Sequence, residues 1–178
     1  MKKIKVLDKE FVISIPSEEI QKAIVKMAKK MNKDLKGKDP LFIVILNGAF
    51  VFAADLLKNI NINCQISFLK VASYHGTTST GTIRDLIGID EDLKGKTLVV
   101  VEDIVDTGLT LEHISKLLKK HKPAEIKIAT FLFKPEAYKK KLTIDYIGMK
   151  IPNEFIIGYG LDYNGYARNL KDIYVLAK

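Results

Sequence analysis

Cysteine is nearly absent from this chain of 178 residues, Cys64 being the only one. A lone thiol excludes an internal disulfide framework, and its apolar neighbours mark it as an inert core residue. Histidine is almost as scarce. His75, His113 and His121 are scattered, with no Cys or His at metal-ligand spacing, which argues against a zinc site and against a histidine-based triad. No apolar run approaches the length that crosses a membrane. The opening Met1-Lys2-Lys3-Ile4-Lys5 lacks the apolar stretch of a secretion signal. These absences lead us to expect a cytoplasmic protein with no membrane partner.

Acidic residues are outnumbered, 21 Asp and Glu against 29 Lys and Arg, for a net charge of +8. Much of the excess sits in Lys26, Lys29, Lys30 and Lys33, in Lys116, Lys119, Lys120 and Lys122, and in Lys139, Lys140 and Lys141. These positions fall on helix faces or in turns, which reads as solvated surface rather than a nucleic-acid footprint. A positive field also suits a small polyanionic substrate. The hydrophobic content of 47%, without a repeat or a linker, is that of one ordered domain over residues 1–178.

Apolar patterning predicts strands alternating with helices. Ser17 can cap a helix opening with Glu18 and Glu19, in which Ile20, Ile24, Met27, Ala28 and Met31 recur at helical spacing. Leu41–Leu46 reads as a buried strand ending at Asn47-Gly48, with a helix over 49–58 and a strand over 66–72. Residues 73–88, rich in Gly, Ser and Thr and without periodicity, suggest a mobile lid loop beginning at Ser73 and Tyr74. A strand over 97–101, a helix over 110–121 and strands over 126–133 and 144–149 follow. The end, from Ile151, is irregular except for Ile173–Leu176. This alternation implies an α/β fold, a parallel sheet with helices on both faces.

What is present in strength is the stretch from Val99 to Thr110, Val-Val-Val-Glu-Asp-Ile-Val-Asp-Thr-Gly-Leu-Thr. An apolar strand ends in Glu102 and Asp103, where open α/β sheets bind ligands. Asp106-Thr107-Gly108-Leu109-Thr110 then opens a helix, and a glycine turn at a helix amino end presents backbone N–H groups to an anion. Carboxylates that can hold ribose hydroxyls or Mg²⁺ beside a phosphate cradle imply a ribose-phosphate substrate. Taken alone, Asp-Thr-Gly is also a common turn.

This segment closely resembles the ribose-phosphate signature of the type I phosphoribosyltransferases. Five further pieces, in the right order, resemble the 6-oxopurine branch of that family: Ile45-Leu46-Asn47-Gly48-Ala49, Ser73-Tyr74, Phe131-Leu132-Phe133-Lys134, Phe155-Ile156-Ile157-Gly158-Tyr159, and Leu161-Asp162-Tyr163-Asn164 continuing to Arg168. The resemblance covers nearly the whole chain. It implies the type I phosphoribosyltransferase fold with a small hood formed by the terminal segments. It also implies Mg²⁺-dependent transfer of 5-phosphoribose from phosphoribosyl pyrophosphate to hypoxanthine or guanine, by a homodimer or homotetramer.

The resemblance assigns roles residue by residue. Asp106, Thr107, Gly108 and Thr110 match the 5′-phosphate cradle, and Asp106 also matches the proposed general base; its plainer role is to cap the following turn. Glu102 and Asp103 match the residues facing the ribose hydroxyls, directly or through Mg²⁺, and Asp162 a second Mg²⁺ contact in the purine pocket. Lys134 matches the donor to the purine O6, Phe155 the ring stacking on the base, and the backbone at Ile156 the reader of the base edge. Taken alone, Lys134 is a strand-end lysine and Phe155 a core residue. Asn47, Gly48 and Arg168 match the pyrophosphate contacts. In many relatives a lysine stands at the position of Asn47 and a glycine at that of Ala49, so here the loop's side-chain charge is missing and its backbone remains. Rival readings are an RNA-binding regulator on the same fold, a xanthine-preferring enzyme, and a phosphoacceptor receiver domain, whose acidic pair would lie nearer the amino end.

Overall fold

The computed structural model describes residues 3–73, 83–87 and 91–177. In chain order the elements are β1 (Lys3–Val6), β2 (Lys9–Ile15), α1 (Ser17–Asp34), β3 (Leu41–Leu46), α2 (Phe50–Leu57), β4 (Gln65–Ser73), β5 (Ile83–Ile87), β6 (Thr97–Val105), α3 (Leu109–Lys119), β7 (Glu125–Phe133), β8 (Tyr146–Lys150), β9 (Ile156–Ile157) and β10 (Ile173–Leu176). One sheet has the order β5-β4-β3-β6-β7-β8. Its strands β4, β3, β6, β7 and β8 run parallel, and β5 pairs antiparallel on the edge.

Strand β3 and the Leu98–Val101 part of β6 are apolar throughout because both their faces are covered. Phe42 and Val44 of β3, with Val99 and Val101 of β6, pack on Ile20, Ile24, Met27 and Met31 of α1 and Phe52 and Leu56 of α2. The alternate residues Leu41, Ile43, Leu98 and Val100 pack on Leu111, Ile114 and Leu118 of α3. Helices therefore lie on both faces, as the α/β reading requires. Cys64 packs against the first of these clusters, and burial pushes its thiol above the ordinary value. Among the described residues, no helix is long and apolar enough to cross a membrane.

The chain leaves β3 through α2 toward β4 on one side and leaves β6 through α3 toward β7 on the other. The winding thus reverses between β3 and β6. Ligands bind at such a switch point, outside the carboxyl ends of the strands. The turns after β3, β6 and β7 all lie at that edge.

Both chain ends build the expected hood, a second sheet in the order β1-β2-β10-β9. Ile15, Ile156 and Ile173 join it to the main core, while Phe11, Ile157, Ala167 and Tyr174 form its own cluster.

Four expectations are corrected. Strand β6 does not stop at Val101 but runs to Val105, pairing Glu102 with Thr130 and Val105 with Phe133; the carboxylates sit inside a ladder rather than in a loop. Residues 73–88 are not wholly irregular, since β5 pairs with β4 from Lys70↔Ile87 to Ser73↔Ile83. Backbone pairing there overrides a composition that signals a loop. The segment from Ile151 contains β9, whose two residues pair with β10. Finally, Ser17 does not cap α1. It is the first helical residue, Pro16 is the N-cap, and the Ser17 N–H donates to Asp172 Oδ1 at 2.7 Å.

That cap comes from 155 residues away. Asp172→Ala is expected to lower the unfolding free energy by about 0.5–2 kcal/mol, the usual worth of an N-terminal cap, whereas Ser17→Ala stays within about 0.5 kcal/mol. Urea unfolding of both variants checks this, and equal losses would reject the assignment.

Candidate active site

The Glu102–Leu111 segment lines a single cavity of about 250 Å³ at the carboxyl edge of the sheet. Local geometry explains the cradle. Gly108 is the N-cap of α3, with φ 81°, a conformation that suits glycine. A methyl group there would also press on the Tyr138 ring and the Lys140 stem. The first N–H groups of a helix have no intrahelical acceptor and point at this space. Thr107 Oγ1 accepts weakly from the Leu109 N–H at 3.5 Å, and the Lys139 N–H donates to the Thr107 carbonyl at 3.3 Å. Asp106 does not cap α3.

Glu102 is buried, and its Oε2 has no hydrogen-bond partner. Burial, then the neighbouring Asp103 charge, pushes its carboxyl well above the usual range. Asp103 is raised to about 6, chiefly by burial, against the backbone hydrogen bonds from Ile104 and from its own residue and then the Arg168 charge. An orphaned carboxyl oxygen beside a second acid is the donor set that a ribose hydroxyl or a hard cation satisfies. Mg²⁺ needs only one or two protein carboxylates and takes its other oxygens from substrate and water. Among the described residues, no group of three or more His, Cys, Asp or Glu forms a metal cage. The pair fits Mg²⁺ on those terms.

Lys134, the first residue after β7, is buried, and its Nζ lies 3.2 Å from Asp106 Oδ2. It also reaches Asn153 Oδ1 at 3.5 Å. The structure therefore joins two residues that the sequence offers separately and adds Asn153, which the sequence reading missed. A cationic donor held beside a half-exposed carboxylate can meet a paired acceptor and donor on one ligand.

Gly48 faces Asp103 so closely that a methyl group on it would land on the Asp103 carboxylate. Asn47 is exposed beside it, after a cis Leu46–Asn47 peptide bond. Gly160 closes on the same turn, since a methyl there would meet the Gly48 carbonyl. Arg168 donates from Nη1 to the Gly160 carbonyl at 2.7 Å and pairs through Nη2 with Asp162 Oδ1 at 2.6 Å. Asp162 Oδ2 accepts from the Gly165 N–H at 2.7 Å. Asp162 and Arg168 are thus tied to each other within electrostatic reach of Asp103.

Phe155 is 47% exposed on the hood side, its ring edge-to-face with Tyr163 at 5.8 Å and tilted against Phe11 at 6.3 Å. Lys9 Nζ lies 4.9 Å from the Tyr163 ring. Phe155 is not the core residue it resembles in sequence. Ile156 is buried in the main core and borders a separate cavity of about 220 Å³ with Ile15, Met149 and Ile173. Ser73 ends β4, and Tyr74 lies outside the described residues.

Sequence reasoning also gave no role to Asp55, Tyr159 or Asp172, whose partners Tyr159, Asp55 and Ser17 come from distant segments. The Tyr159 hydroxyl donates to Asp55 Oδ2 at 2.9 Å, and burial with that carboxylate pushes the phenol far above its usual range, so it stays a neutral donor.

Residues 16–164 match the model of the phosphoribosyl transferase domain. The chain is 41% identical over 165 residues to a Streptococcus pneumoniae protein named hypoxanthine-guanine phosphoribosyltransferase, covering 92% of each. Among solved structures, it resembles a hypoxanthine-guanine phosphoribosyltransferase from Bacillus anthracis with a TM-score of 0.86 and 38% identity, over 94% of this chain and 97% of that one. It also resembles a hypoxanthine phosphoribosyltransferase from Staphylococcus aureus with a TM-score of 0.88 and 37% identity, over 93% and 91%.

Proposed function

The chain belongs to the phosphoribosyltransferase family, and on that premise we propose that it is a purine-salvage enzyme. It transfers 5-phosphoribose from phosphoribosyl pyrophosphate to hypoxanthine or guanine, giving IMP or GMP and pyrophosphate. The observation that carries this reading is the Lys134–Asp106 pair, 3.2 Å apart, at the cavity formed by the Glu102–Leu111 segment. A base docked there meets a donor and an acceptor together, beside an anion cradle and two acids.

In this reading the cradle N–H groups and the Thr107 and Thr110 hydroxyls hold the 5′-phosphate. Glu102 and Asp103 accept from the ribose hydroxyls and orient the reacting carbon. Lys134 donates to the purine O6, an acceptor that adenine replaces with an amino donor, so adenine leaves a buried ammonium facing hydrogens. Phe155 supplies a stacking face, and the Ile156 backbone the base edge. Asp106 takes the proton that leaves the purine nitrogen. Asn47, the Gly48 backbone and Arg168 hold the departing pyrophosphate, Arg168 doing so with guanidinium hydrogens left over from Gly160 and Asp162. Glu102 and Asp103 would hold one Mg²⁺, which when bound would neutralise charge building on the pyrophosphate, and Asp162 would supply a contact to a second. Positioning and preorganised charge supply most of such a rate enhancement.

We take residues 1–178 as one domain, because hood strands from both ends share the main core. The cytoplasm is the proposed compartment, consistent with the single free thiol. A homodimer or homotetramer would cover Phe50, Ile66 and Phe68, each 44–46% exposed. The names of the relatives favour neither an RNA-binding regulator nor a xanthine-preferring enzyme.

A purine panel tests the reading. With phosphoribosyl pyrophosphate and Mg²⁺, hypoxanthine and guanine are expected to yield their 5′-monophosphates and adenine none. Rapid turnover of adenine, or no product from any oxopurine, would reject it.

A further inference from the structure

Two residues outside the proposed chemistry tie its halves together. Asp55 lies in α2, which begins two residues after Gly48. Tyr159 lies in the segment that carries Gly160 and leads to Arg168. The Tyr159 hydroxyl donates to Asp55 Oδ2 at 2.9 Å, and Gln21 Nε2 of α1 donates to the same oxygen at 2.8 Å. The Tyr159 ring packs on Phe131 at 5.2 Å, and Phe131 on Phe52 of α2 at 5.3 Å. The Tyr159 N–H donates to the Leu170 carbonyl at 2.8 Å, and the Gly160 N–H to the Arg168 carbonyl at 3.0 Å. Tyr159 adopts φ 51°, which turns the following glycine onto the Gly48 carbonyl.

We infer that Asp55 and Tyr159 are positioning residues for the pyrophosphate half of the site: their hydrogen bond clamps the Gly48 turn against the Gly160–Arg168 segment. The inference rests on the pyrophosphate reading above. Its physical basis is that Gly48 and Arg168 belong to segments more than a hundred residues apart in sequence. Gly160 touches both, through the Gly48 carbonyl on one side and the Arg168 guanidinium on the other. Side-chain packing alone leaves two glycine-rich turns free to slide by a fraction of an ångström. A directional bond from a buried phenol to a carboxylate on a helix removes that freedom, and sites lose function when their supporting contacts are loose by about 1 Å. Lys134, which follows β7 and is held by Asp106 and Asn153, does not depend on this bond.

The test compares the wild type with Tyr159→Phe, Asp55→Asn and, as a stability control, Ile24→Val in the core of α1. Three readouts are taken: steady-state kinetics with hypoxanthine, calorimetric binding of pyrophosphate with Mg²⁺, and Tm. Tyr159→Phe is expected to raise the KM for phosphoribosyl pyrophosphate and the Kd for pyrophosphate by about tenfold, with kcat and the hypoxanthine KM within about twofold. Asp55→Asn keeps an acceptor oxygen and should lie within about threefold of the wild type. Ile24→Val lowers Tm and leaves both affinities alone. Pyrophosphate affinity unchanged in Tyr159→Phe, or weakened as much by Ile24→Val, overturns the clamp. Nucleotide formation by the wild type judges the proposed reaction separately, because pyrophosphate binding is measured without a purine.

Discussion

Asp106→Asn is expected to lower the turnover number by roughly 10²–10⁴-fold, the usual contribution of a positioned acid or base. The substitution is nearly isosteric. The amide oxygen can still accept from Lys134 Nζ, which stands 3.2 Å from the carboxylate, so the local geometry survives. What is lost is a group able to take a proton. Asn153 remains a second partner for the buried ammonium at 3.5 Å, which limits any drift of Lys134. The KM for phosphoribosyl pyrophosphate should therefore change by only a few-fold, because the proposed cradle offers backbone N–H groups and the threonine hydroxyls. Initial-rate kinetics with both substrates varied separates these effects. A turnover number that stays put would reduce Asp106 to an ion-pair partner of Lys134.

This division also shows what a one-dimensional reading can reach. The strand β3 and the first half of β6 are legible because covering both faces demands uninterrupted apolar runs, and α1 because its buried residues recur every three or four positions. The cradle is legible because its parts are contiguous: strand, acids, turn, glycine and helix follow one another within a dozen residues. Long-range pairings left no such trace. Nothing near Ser17 announces that Asp172 will supply the cap, and a serine before two glutamates is itself a reasonable cap signal. Glu102 and Asp103 look like loop residues by type, yet ladder pairing carries β6 four residues beyond Val101. The strand β5 hides in a polar, glycine-rich stretch for the same reason: its partner β4 dictates it. The meeting of Lys134 with Asp106, and of Tyr159 with Asp55, follows from topology, which brings strand ends to one edge and says nothing locally about which side chains will touch.

Gly48→Ala is the second large effect, expected in the affinity for phosphoribosyl pyrophosphate rather than in folding. The added methyl group would occupy the place of the Asp103 carboxylate. The Asp103 backbone cannot retreat, because its neighbours Glu102 and Ile104 are paired to Thr130 and Leu132 in the central ladder. The turn cannot retreat either, because the Gly48 carbonyl is backed by Gly160. The least costly response is rotation of the short Asp103 side chain away from the turn. Overpacking of this kind typically costs about 1–3 kcal/mol, and rotation of a partly exposed carboxyl keeps the loss of stability near the lower end. The same rotation takes Asp103 away from Glu102 and breaks the pair of acids proposed to face the ribose and Mg²⁺. The KM for phosphoribosyl pyrophosphate should rise at least about tenfold, the equivalent of roughly 1.4 kcal/mol of lost binding, with the hypoxanthine KM changing less. Kinetics and thermal unfolding on the same preparation decide it. A KM unchanged in a folded Gly48→Ala protein would mean that Asp103 does not meet the substrate from the rotamer seen here.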